Sequence, residues 1–83
     1  MAGDGHDRAR RAVEEGRILP LKDILARTEA TYPGRLIEAE LEGDDGAPIY
    51  EIKVLTGDGR IVKLFYDART GEPLKSEHRG GRP

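Results

Sequence analysis

Two histidines, a single serine and several carboxylate groups are the side chains of this sequence that could carry out catalysis or bind a metal. His6 and His78 fall in stretches expected to be loose, residues 1–6 and 75–83, and Ser76 shares the second of them. A general base needs rigid neighbours to aim it, so none of the three is expected to be catalytic. Glu38, Glu40 and Glu42 alternate along an expected strand and share its outward face. Outward glutamates are normally solvated, and no element nearby would bury one carboxyl and raise its pKa relative to the others. Asp44 and Asp45 sit between Gly43 and Gly46. A calcium loop would need several more oxygen ligands at set spacing and a closing bidentate glutamate, so a turn is the better reading. There is no cysteine, hence no disulfide, thiol nucleophile or cysteine metal site. No catalytic residue, metal or cofactor is therefore expected.

The elements that would position these groups centre on Ala47 to Asp67. Tyr50, Ile52 and Val54 form one alternating apolar set, and Val62, Leu64 and Tyr66 form another. Period two with a wholly apolar set marks a strand with one face in a core. Both sets must lie on the same side of the sheet, and that requirement selects the register. A two-residue loop would place Val54 opposite Lys63. A three-residue loop, Gly57-Asp58-Gly59, pairs Val54 with Val62, Ile52 with Leu64 and Tyr50 with Tyr66, and puts Gly59 at the left-handed position. The same loop lies between two strands rather than between a strand and a helix, so its glycines offer no dinucleotide cradle. After the second strand, Asp67 is placed to accept turn N–H groups and Gly71 to take positive φ.

Taken in order, residues 7–16 predict a short helix with an apolar stripe of Ala9, Ala12 and Val13, ended by Gly16. Its Arg8, Arg10 and Arg11 read as a solvated face or as a contact for an anionic surface. A stronger helix opens at Pro20, with Leu21, Ile24, Leu25, Thr28 and Tyr32 at offsets of three and four. Pro33-Gly34 turns the chain into a strand with Ile37, Ala39 and Leu41 facing inward. The sum is an α+β domain: one main helix, preceded by a short N-terminal helix, packed on a three-stranded antiparallel meander over residues 7–74. Leu74 is expected to fold back over the core. The formal charge of −2 over 83 residues, with both signs interspersed, argues against a nucleic-acid binder. No apolar run is long enough to span a membrane, and no signal peptide is present.

The chain resembles the PepSY domain family from about Ala12 to Leu74. The resemblance rests on Pro33-Gly34, on Tyr50-Glu51-Ile52-Lys53-Val54, on Asp58-Gly59 and above all on Asp67-Ala68-Arg69-Thr70-Gly71 after the last strand. It implies a helix against an antiparallel sheet, a bacterial periplasmic, cell-envelope or secreted location, and a role in restraining peptidases or modulating another protein. Some members are propeptide modules of metallopeptidases. This sequence carries a single copy and no protease, so inhibition by it is expected to act in trans. Without a signal peptide, a cytoplasmic location stays open. The family has no catalytic motif to carry over.

The face opposite the helix holds the one oddity. Leu36, Ile49, Leu55, Ile61 and Phe65 are expected there among Glu38, Glu40, Glu51, Lys53 and Lys63. An ordinary solvated face is polar, whereas apolar residues rimmed by charge suit a protein contact. Phe65 and Ile61 would be the anchors and Lys63 part of the rim. The occupant would be another protein, such as a peptidase, or a second copy in a homodimer. Cover by the N-terminal helix and scattered exposed hydrophobes are the competing readings. A sheet edge accepting an extended segment is a further route.

Overall fold

The computed structural model describes residues 4–43 and 47–80. Residues 1–3 of the loose start expected over 1–6, the Asp44-Asp45 turn and residues 81–83 of the expected tail lie outside the described residues.

Helix α1 spans Asp4–Glu14, starting earlier than the expected residue 7. It ends as its glycine requires: Gly16 adopts φ 76°, its N–H reaches the Val13 carbonyl at 3.0 Å, and the Arg17 N–H reaches Ala12 at 2.9 Å. This pair of bonds satisfies carbonyls that the last helical turn would leave open. The linker then crosses the molecule. The Leu19 N–H donates to the Ala68 carbonyl at 2.8 Å, and the Tyr50 hydroxyl donates to the Leu19 carbonyl at 2.8 Å.

Helix α2 spans Leu21–Thr31, with Pro20 at the N-cap rather than inside the helix. Ile24 and Thr28 of its stripe are buried, while Leu21, Leu25 and Tyr32 pack partly buried against the core.

Four strands follow: β1 Gly34–Glu42, β2 Ile49–Thr56, β3 Arg60–Asp67 and β4 Pro73–Gly80. They form one antiparallel sheet in the order β1-β2-β3-β4. The central register is the one that the apolar pattern requires, with Val54 opposite Val62, Ile52 opposite Leu64 and Tyr50 opposite Tyr66. These six side chains, with Ile24, Ile18, Ala12 and Ala68, make the core.

The three-stranded sheet is corrected to four. The segment after Leu74, expected to be loose, pairs with β3 from Phe65↔Lys75 to Arg60↔Gly80. Every residue of β4 is exposed, so the strand has no apolar alternation to announce it. What recruits it is the row of backbone groups that β3 would otherwise leave unpaired. Leu74 does not fold back over the core, for it is 50% exposed at the irregularity opposite Phe65 and Tyr66.

A second correction concerns β1. A bulge between Leu36 and Glu38 inserts Ile37 as an extra residue. It reverses the alternation on one side of itself. Ala39 and Leu41 stay opposite Ile52 and Tyr50, but Leu36 pairs with Val54 and so shares the helix-facing side. Ile37, expected inward, is 47% exposed.

A candidate interaction surface on the open face of the sheet

Both helices lie on one side of the sheet. Ala9 and Val13 of α1 line a depression together with Leu21, Ala39, Leu41 and Tyr50, and Ala12 joins the core formed with α2. The expected alternative, that α1 covers the opposite face, is thereby removed. Among the described residues no helix covers that face.

Cross-strand partners project to the same side, so the registers lay out the open face row by row. At the hairpin end, Leu55 and Ile61 are opposite one another, with Arg35 beyond Leu55 and Arg79 beyond Ile61. The next row runs Glu38, Lys53, Lys63, Glu77 across all four strands. Then come Glu40, Glu51, Phe65 and Lys75, and finally Glu42, Ile49 and Asp67. Of the expected contact residues, Ile49, Leu55, Ile61, Lys63 and Phe65 are brought to this face. Leu36 is not, because the bulge turns it to the other side.

The apolar surface is divided rather than continuous. Leu55 and Ile61 are each 37% exposed and lie side by side. Phe65 is half-buried, and the Lys75 ammonium sits 4.9 Å from its ring centroid, in cation–π range. Between these two positions runs the lysine row. Lys53 pairs with Glu38 at 3.2 Å, Lys63 with Glu51 at 3.6 Å and Lys75 with Glu77 at 3.4 Å. Arg35, Arg79 and Lys75 were missed as neighbours of the apolar residues, because only the β1 and β4 registers bring them there.

Charge is polarised along the strands. Glu40, Glu42 and Glu51 place carboxylate oxygens within 4.8 Å of one another at the end away from the hairpin. The Glu42 carboxyl is held above its ordinary value, first by a hydrogen bond with Glu51, then by burial and by the neighbouring carboxylates. Glu40 and Glu42 are exposed and Lys63 already pairs with Glu51, so these oxygens form a solvated acidic corner. The hairpin end carries Arg35 and Arg79.

The turns that frame the face are ordered by the residues assigned to them. Gly59 has φ 83° and Gly71 φ 79°. The Asp67 carboxylate accepts the Arg69 N–H at 2.8 Å, and its carbonyl accepts the Gly71 N–H at 2.7 Å. Gly34 has a different role: it opens β1, and a Cβ there would collide with the Leu55 carbonyl oxygen.

Ser76 and His78, placed in a loose tail by the sequence, stand on β4 instead. The Ser76 hydroxyl is 3.5 Å from His78 Nε2, and His78 Nδ1 faces the Arg60 guanidinium at 3.5 Å. A cation where a triad has its orienting carboxylate does not prepare a base. His78 also meets the Tyr32 ring edge-on at 5.8 Å.

No helix of the described residues is long and apolar enough to cross a membrane. No curated protein and no solved structure matches the chain. Residues 18–77 match the family described as PepSY, peptidase propeptide and YPEB domain, whose members are typically extracytoplasmic and regulatory or inhibitory. With most of its length inside that match, and with a helix packed on an antiparallel meander, this chain belongs to the PepSY family.

Proposed function

We infer that this chain is a non-enzymatic regulatory module that works by binding another protein through the open sheet face. The observation that carries the reading is the uncovered Leu55–Ile61 pair, with Phe65 on the same face and charges of both signs around them. Desolvating the apolar pair would supply binding energy, and the lysine and glutamate rows would set the partner's register. The family association with peptidase propeptides and inhibitors makes a peptidase the first partner to try, in an extracytoplasmic compartment.

The test compares intact protein with Phe65→Glu and Ile61→Glu variants, each checked for native circular dichroism. All three are immobilised against an envelope extract of the source organism and assayed for inhibition of the peptidases recovered. Retention of one partner by the intact protein and its loss from both folded variants is the expected result. Equal retention by all three would remove the open face from the binding function. Sedimentation of the purified protein separates this reading from self-association, since a concentration-dependent dimer abolished by Ile61→Glu would make a second copy the occupant.

A further inference from the structure

On the opposite side of the molecule, α1 closes over the end of the sheet and leaves a cavity of about 440 Å³. Four arginines line it: Arg8 and Arg11 from α1, Arg17 from the linker and Arg69 from the turn after β3. Arg8 and Arg11 are exposed neighbours three apart on the helix, and Arg8 lies one turn before Ala12, whose burial in the core fixes how the helix sits. Ile18, Leu41 and Pro48 contribute the apolar part of the lining. Residue 18 begins the family match, so the two helix arginines lie outside the segment shared with the family.

In a chain of formal charge −2, four guanidinium groups around one cavity are a local concentration that composition does not impose. Arg17 is paired with Glu15 at 2.9 Å, and Arg69 has interactions of its own. Arg8 and Arg11 have no ion pair among the described side chains, which start at residue 7, whereas Arg10 on the same helix pairs with Asp7 at 3.6 Å. The helix C-terminus favours a cation at Arg11 but gives no reason for one at Arg8.

The lining also narrows the ligand. Guanidinium groups bind carboxylates through paired N–H donors. A bare inorganic anion would leave Ile18, Leu41 and Pro48 unused. A nucleotide would want an aromatic ring to stack on, and none lines the cavity among the described residues. The volume falls in the range of small-ligand sites and admits a short length of peptide. We propose that this cavity is a second recognition site, taking an acidic peptide segment in which an apolar side chain is flanked by carboxylates.

The test is fluorescence anisotropy at low salt, with the full chain titrated into a labelled Glu-Glu-Leu-Glu-Glu peptide. Saturable binding is expected, weakened about tenfold or more in an Arg8→Gln/Arg11→Gln variant and largely kept in Arg8→Lys/Arg11→Lys. The Gln-Gln-Leu-Gln-Gln peptide should not bind, and Glu-Glu-Gly-Glu-Glu should bind more weakly than the leucine peptide. Amide shift changes should centre on residues 8–18 and 69, away from the open face. The proposal is overturned by absence of saturable binding, by equal binding to the glutamine variant, or by shift changes confined to the open face. Displacement by inorganic phosphate at concentrations comparable to the peptide would overturn it in favour of a simple anion site. Because the open face contributes nothing to this cavity, Ile61→Glu should leave the peptide affinity unchanged, which separates the two sites.

Discussion

The Thr28 hydroxyl shows how much one side chain can constrain. It is buried at 3% exposure and lies 2.9 Å from both the Ile24 carbonyl and the Tyr66 hydroxyl. Thr28 has one proton to give, and the carbonyl can only accept, so Thr28 donates to Ile24 and accepts from Tyr66. The bond ties α2 to β3 and satisfies a phenol that the core has removed from water. Thr28→Val keeps the shape and strands the Tyr66 hydroxyl, at an expected cost of about 1–3 kcal/mol in urea unfolding. Adding Tyr66→Phe should recover part of that loss, which a double-mutant cycle would measure. At the hairpin loop, the Asp58 carboxylate accepts from the Thr56 hydroxyl and from the Arg60 guanidinium at 3.1 Å. Those two bonds hold its carboxyl below the ordinary value, the Thr56 bond contributing most. A depressed carboxylate stabilises the fold above its unfolded pKa and loses that contribution as pH falls through the folded one. The melting-temperature gap between the parent protein and Asp58→Asn should therefore be constant above about pH 5 and close as pH drops below about 4.

Among the elements, β4 depends most on its neighbour. Its side chains are exposed throughout, so it brings the core little apolar burial and is held mainly by its ladder with β3. A chain ending at Leu74 keeps the apolar sets of β2 and β3 but loses that ladder and the Lys75 cover over Phe65. The expected loss is about 2 kcal/mol, net of the entropy of ordering the segment, measured by urea unfolding. The truncated protein should also associate more readily, because β3 becomes a free edge. An unchanged midpoint would show that β4 is not held in solution.

At the scale of the whole molecule, one face of the sheet is buried under helices and the other is open. Substitutions on the two faces should accordingly differ in kind. Ile52 is fully buried, and Ile52→Ala should cost about 2–5 kcal/mol through lost burial and the cavity left behind. Ile61 sits three residue pairs away, on the open face, and is 37% exposed, so Ile61→Ser should move stability by less than about 1 kcal/mol. Parallel denaturant titrations check the contrast. A large loss at Ile61 would mean that the open face is covered in solution.

The hairpin register and the stripe of α2 were legible in the residues alone, since each is written in a local period. A one-residue slip would turn one apolar set to the other face, and the Gly57-Asp58-Gly59 loop, with Gly59 in a backbone conformation that other residues resist, selects among the registers that remain. The identity of the second face was legible too, at Ile49, Leu55, Ile61, Lys63 and Phe65. Local patterns do not carry the bulge at Ile37, which takes Leu36 off that face, because a bulge is settled by how β1 meets β2 and the core. Nor do they carry β4, a wholly polar strand selected by the unpaired backbone of β3. The four-arginine cavity joins residues 8 and 69, far apart in the chain. Only the placement of α1 against the end of the sheet brings them together, because charges separated in sequence share a site only where packing fixes the distance between them.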